Sequence, residues 1–175
     1  KILDVVSLQN IPEGCPTEDL GNYVVMPGLV DTHVHINEPG RTDWEGFETA
    51  TKAAASGGIT TLVDMPLNCI PVTTTIDALH QKTVSTQNKL WIDCGFYGGI
   101  IPDNLKDIEA LAEAGVLGFK AFMSHSGIDE FPKVAESHLR KALSILVNQA
   151  IPVLVHAEIE NGVETSNSNQ TYESF

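Results

Sequence analysis

Basic side chains are scarce in this chain: ten Lys and Arg stand against 23 Asp and Glu, a formal net charge of −13. Neutralising phosphates needs clustered cations, and no such cluster occurs, so no nucleic-acid partner is expected and the acidity is read as solubility. No apolar run approaches the length of a membrane span, and nothing near the start has the charged, apolar, small-residue order of a secretory signal. A membrane partner is therefore not expected. Cys15, Cys69 and Cys94 are odd in number, far apart and without a C-x-x-C pair. They fit neither a disulfide framework nor a zinc knuckle, and they suit a reducing compartment. A cytoplasmic location follows, with an organellar one left open because the chain begins at Lys1 without a methionine. Asn169-Gln-Thr171 matches a glycosylation acceptor, a triplet short enough to recur by chance.

What is present is a regular alternation. At 175 residues the chain fits one domain with room for a sizeable core. Residues 1–22 are short-range, turn-rich and mixed, with Ile2 to Leu8 the one strand candidate. Val24–Ile36 reads as a buried strand and its exit. Trp44–Ser56 has helical spacing and stops at Gly57-Gly58. Thr60–Met65 is a β-branched run closed by Pro66, and Ile76–Asn88 reads as a helix. Leu90–Ile101 is a strand region, Asn104–Ala114 a helix, Gly118–Ser124 a strand, Glu136–Gln149 a helix and Pro152–Glu158 a strand. After Asn161 the periodicity is lost. Such alternation predicts an α/β protein with a parallel sheet, in which chemistry gathers at the C-terminal ends of strands.

Those ends carry the informative residues. His33 and His35 are spaced i, i+2, so on a strand both imidazoles lie on one face, at its exit into a loop. Two imidazoles so placed make part of a site for a divalent metal; alone, they read as polar residues near a sheet edge. His156 ends an apolar run in Val153-Leu-Val-His-Ala-Glu158, and by itself suits a satisfied core position. Lys120 lies in Val116-Leu-Gly-Phe-Lys-Ala-Phe-Met123, among core-forming residues. Either its ammonium snorkels to water or it is buried, and burial without a partner lowers the amine's pKa. A neutral amine captures carbon dioxide, and the resulting carbamate has two anionic oxygens able to bridge two metal ions. With three histidines at neighbouring strand ends, the ligand reading is preferred for all four. His80, His125 and His138 are read as surface residues, and Arg41 and Asp43 are placed to pair within their loop.

Gly28-Leu-Val-Asp-Thr-His-Val-His35 followed by Asn37-Glu-Pro-Gly-Arg41 resembles the cyclic amidohydrolases, the family of allantoinases, dihydropyrimidinases (hydantoinases) and dihydroorotases. Gly57-Gly-Ile-Thr-Thr61, Asp64-Met-Pro-Leu-Asn68, Gly118-Phe-Lys-Ala-Phe122 and Val155-His-Ala-Glu158 follow in the family's order and spacing. The resemblance spans about residues 24–160 and is nearest to the allantoinase branch. Where dihydroorotases place an arginine for the substrate carboxylate, this chain has Asn37. The Glu38-Pro-Gly-Arg41 run and the Trp44-Glu-Gly-Phe-Glu-Thr49 helix start also look like allantoinase.

The resemblance implies a fold class and a reaction. The fold is a metal-dependent amidohydrolase TIM (β/α)8 barrel, of which residues 24–175 would supply about five of eight strands, preceded by part of a small β-sandwich in residues 1–23. The reaction is hydrolytic opening of the hydantoin ring of allantoin to allantoate, by two divalent ions that activate water and polarise the scissile carbonyl. By the same resemblance His33, His35 and carbamylated Lys120 would hold one ion, with Lys120 bridging to a second held by His156. Zinc is expected, with manganese, cobalt or nickel acceptable to the same ligands. Asn37, Arg41, Asn68 and Ser126 are the expected substrate contacts. A further histidine at a sixth strand and a proton-shuttling aspartate at an eighth are expected beyond Phe175. The chain thus reads as a first portion of a longer, homo-oligomeric enzyme, marginal alone because its sheet edge is open. The alternatives are a hydantoinase or dihydroorotase, and a non-catalytic scaffold of the same fold.

Overall fold

The computed structural model describes residues 2–158. The Asn169–Thr171 triplet and the aperiodic stretch after Asn161 lie outside the described residues. Six strand segments and four α-helices alternate: β1 (Leu29–Val34), α1 (Phe47–Ser56), β2 (Ile59–Asp64), α2 (Ile76–Ser85), β3 (Asp93–Phe96), β4 (Gly98–Gly99), α3 (Ile108–Glu113), β5 (Phe119–Phe122), α4 (Glu136–Leu146) and β6 (Val153–His156). Every strand pairing is parallel, in the orders β1-β2-β3 and β4-β5-β6. The α/β parallel architecture matches the expectation.

β3 and β4 are two halves of one passage of chain, parted at Tyr97. The first half pairs with β2, and the second turns to pair with β5. Across the joint the Tyr97 N–H donates to Asp64 O at 3.0 Å and the Gly98 N–H donates to Gly118 O at 2.9 Å. The continuous strand expected over Leu90–Ile101 is therefore shorter and interrupted. Glycine is required on the second half: a Cβ at Gly99 would lie 2.4 Å from the Phe131 ring.

Period-2 alternation sorts each strand's side chains between two faces. On one face Leu62 packs with Ile36 and Phe47 at the start of α1. On the same side Phe119 and Ala121 of β5 pack with Ile108, Leu111, Ala142 and Leu146 of α3 and α4. The other face holds Val63, Tyr97 and Phe122, closed in part by Phe131 from the loop after β5.

Two expectations need correction. Ile2–Leu8 forms no strand; residues 2–28 are extended or turned and almost wholly exposed, with a 3-10 turn at Leu8–Asn10. Among the described residues that segment has no strand partner, and a strand without one leaves its backbone groups to water. The β-sandwich part expected in residues 1–23 accordingly forms no sheet there. The strand expected over Val24–Ile36 spans only Leu29–Val34 and is not buried, because it is an edge strand with β2 alone beside it.

The charge buried under the helices escapes pattern reading. Lys82 of α2 is fully buried and paired with Asp64 at the end of β2, and it also donates to Met65 O at 3.1 Å. The other Asp64 oxygen accepts the Ile36 N–H at 2.7 Å, joining α2 to the exit of β1. Burial pushes the Asp64 carboxyl up, to about 6, against the pull of Lys82 and of backbone N–H groups.

Two outcomes test this packing. Lys82→Met in the whole protein strands a buried carboxylate and should destabilise it by about 3–5 kcal/mol, read from the urea midpoint. Burial also pushes the Cys94 thiol up to about 12, and Cys69 is fully buried. Iodoacetamide at pH 8 should spare both until the protein is denatured, while exposed Cys15 reacts, as peptide mass mapping would record.

Candidate metal centre

β1 presents His33 and His35 on one face because the intervening Val34 packs the other way, beneath α1. Their ring centroids are 5.5 Å apart, tilted by 48°. Beyond His35 the chain is pinned by Ile36, which has no exposed surface, and by buried Glu38. The Glu38 carboxylate accepts the Phe47 N–H at 2.9 Å, so it caps α1 from the loop, and its other oxygen pairs with Lys89. That cap holds residues 36–47 as one compact turn.

Lys120 occupies the matching face of β5, since its neighbours Phe119 and Ala121 are committed to the helices. It is 6% exposed, and its amine has no hydrogen-bond or carboxylate partner among the described residues. Its Nζ lies over the Phe122 ring, 4.8 Å from the centroid. Burial alone pushes its pKa down. This is the reverse of Lys82, whose partner holds it charged. The snorkelling reading of Lys120 is not what the structure adopts.

His156 ends β6 in register with Phe122. The two rings stack at 5.0 Å and 14°, and Glu158 Oε1 lies 3.5 Å from His156 Nε2. The His35 pKa is lowered, first by partial burial, then by the charges of His33, Lys120 and Lys82. The shift favours the neutral imidazole, the form that binds a metal. Among the described residues no three of His, Cys, Asp and Glu converge as a metal cage. The donors that share one face are two imidazoles, an unpaired amine and, across Phe122, a third imidazole. Two imidazoles on the face that also carries a buried amine of lowered pKa would suit a divalent ion once that amine bore an anionic group.

The other expected residues fall in the loops at the same strand ends. Asn37 is 8% exposed and its Oδ1 has no partner. Asn68 adopts a positive φ of 74°, and its side-chain amide lies 3.5 Å from His35 Nδ1. Arg41 pairs with Glu130 at 2.9 Å rather than with Asp43 as expected, and donates to Asn68 O at 2.9 Å. Asp43 is only two residues away, but the turn aims Arg41 across to the neighbouring loops. The Ser126 hydroxyl lies 2.7 Å from Phe131 O and 3.0 Å from Ile128 O, inside its own turn. His80 and His125 are exposed, as expected, whereas His138 is half-buried with an unpartnered Nδ1. Glu38 and Lys82 were missed. Lys82 follows Leu79 by three residues on the buried side of α2, a spacing that flags a charge on an apolar face.

A parallel α/β sheet with imidazoles and an unpaired amine at the C-terminal strand ends defines a class of proteins whose chemistry sits above the sheet. The model of the amidohydrolase family matches residues 24–174. The chain belongs to that family. It is 55% identical over 148 residues to an allantoinase of Streptomyces avermitilis, covering 85% of this chain and 33% of that protein. To an allantoinase of Saccharomyces cerevisiae it is 46% identical over 162 residues, covering 90% and 35%. Among solved structures it resembles an L-hydantoinase (dihydropyrimidinase) from Arthrobacter aurescens, with a TM-score of 0.73 and 37% identity over 77% of this chain and 30% of that one. The chain spans about a third of the length of the curated relatives it matches.

Removing the cap tests the loop architecture. Glu38→Ala in the whole protein should cost about 1–3 kcal/mol in urea unfolding, because the Phe47 N–H is left buried without an acceptor.

Proposed function

We propose that the complete protein is a metal-dependent cyclic amide hydrolase that opens the hydantoin ring of allantoin to allantoate. The observation that carries this is Lys120, a buried amine without a counter-charge, on the same face as His33 and His35. Carbon dioxide adds to the neutral Nζ, forming one N–C bond and releasing one proton to water. The product is an anion that satisfies both the buried position and a pair of cations.

In this reading His33, His35 and carbamylated Lys120 hold one divalent ion, and Lys120 and His156 hold a second. Zinc is the assigned metal, with manganese, cobalt or nickel acceptable to the same donors. Bound ions of this kind supply an activated water and polarise a carbonyl. The chain's own residues bind and orient. Asn37 offers a neutral acceptor to a ring or ureido N–H, where an arginine would suit a carboxylate substrate. Asn68 and Ser126 shape the adjoining wall. Phe122 fixes the His156 ring plane and keeps water from the Lys120 amine.

The described strands stand for about five of a barrel's eight. In this reading a sixth-strand histidine and an eighth-strand aspartate serving as proton shuttle would complete the site, in keeping with a chain that spans about a third of its relatives' length. Among the described residues no helix is long and apolar enough to cross a membrane. We assign the protein to the cytosol or an organelle interior, as a homo-oligomer. The likeness to an L-hydantoinase supports hydantoins as the second substrate class. A non-catalytic scaffold is disfavoured, since a scaffold gains nothing from an unpaired buried lysine.

The test is steady-state hydrolysis by the whole protein, zinc-loaded or chelated, on allantoin, hydantoin and dihydroorotate. Allantoin should be turned over best, and chelation should abolish turnover. Lys120→Met and Lys120→Arg should each lower kcat/KM by more than about 10³-fold, because neither side chain forms a carbamate and a missing bridge removes transition-state charge stabilisation. Retained turnover in either variant would sink the proposal.

A further inference from the structure

Arg41 has the charge and the loop position of a substrate contact, yet its donors are already engaged. One guanidinium nitrogen donates to Asn68 O at 2.9 Å and another to Glu130 Oε1 at 2.9 Å, and the plane lies over the Trp44 ring at 5.0 Å. Its side chain is 17% exposed. These contacts join three loops, those following β1, β2 and β5. The first two are also stitched by the Ile70 N–H donating to Pro39 O at 2.8 Å. They approach so closely at Gly40, φ 89°, that a Cβ there would lie 2.6 Å from Ile70. Between those stitches Asn68 is held at φ 74°, a conformation open to asparagine but not to most side chains. That backbone setting aims its amide at His35 Nδ1, with Nδ2 placed 3.5 Å from that nitrogen.

We propose that Arg41 and Asn68 are positioning residues for His35: Arg41 clamps the Asn68 backbone, and the Asn68 amide oxygen accepts the His35 Nδ1–H. The amide's oxygen and nitrogen are interchangeable by a half-turn, and the contact has a different consequence in each sense. With the nitrogen facing the ring, Nδ1 accepts and the ring proton sits on Nε2, which then cannot bind a cation. With the oxygen facing it, the proton sits on Nδ1 and the Nε2 lone pair is free. A ligating imidazole needs the second arrangement. The inference rests on the reading of His35 as a metal ligand.

The experiment uses the whole protein and the variants Arg41→Met, Asn68→Gly and Asn68→Asp. Glycine removes the amide without strain at positive φ, and aspartate keeps an acceptor that cannot turn into a donor. The readouts are zinc affinity by competition with a chelating dye, the His35 tautomer by nitrogen-15 NMR of metal-free protein, and the separate kcat and KM values. Asn68→Gly should weaken zinc binding about 10–100-fold and mix the His35 tautomers. Arg41→Met should move both readouts the same way by less, and Asn68→Asp should retain wild-type zinc affinity. A raised KM for Arg41→Met with zinc affinity and tautomer unchanged would make Arg41 a substrate contact and overturn the proposal. So would an Nε2–H tautomer in the metal-free wild type. A wild type that binds no zinc, but whose His35 tautomer follows Asn68, would retire the metal reading and leave the positioning pair standing.

Discussion

An ammonium group withdrawn from water must meet a counter-charge or give up its proton, and this chain contains a lysine of each kind. Lys82 meets Asp64 beneath α2. The second oxygen of that carboxylate takes the N–H of Ile36, the residue between His35 and Asn37. The placement of the histidine pair therefore depends on an ion pair on the opposite face of the sheet. Lys120 is less deeply buried, at 6% exposed, and has no carboxylate or hydrogen-bond partner among the described residues. One buried lysine is therefore matched by a carboxylate and the other is not, and only Lys120 lies within an apolar run of the sequence.

The loops above the strands extend the same division of labour. Glu38, Arg41 and Asn68 use their polar atoms on other loop residues, fixing where the β1 exit sits against the β2 and β5 loops. Asn37 is the exception, since its side-chain oxygen is buried and unanswered. In a neighbourhood where polar atoms are otherwise matched, an unmatched acceptor marks the place for a ligand's donor.

The parallel α/β order was readable because each strand is a β-branched or apolar run closed by Gly or Pro, and each helix has a 3.6-residue stripe. The four proposed ligands were readable because polar groups at the ends of apolar runs stand out. What pattern could not reach was anything set by a distant partner. Arg41 pairs across 89 residues with Glu130 rather than locally with Asp43. The break at Tyr97 follows from β3 and β4 turning to different neighbours, which no local spacing encodes. Ile2–Leu8 has a strand's composition, but a strand exists only where a second one meets it.

The strand order in space is the strand order in the chain. Each βα unit emerging from the ribosome therefore docks beside the one made just before it, without waiting for a distant segment. Under such vectorial synthesis the β1 histidines are made first, Lys120 nearly ninety residues later and His156 after that. A nascent chain thus carries the histidine pair long before the buried amine that shares its face exists. That face is then a late feature of synthesis, assembled only once β5 has docked beside β4.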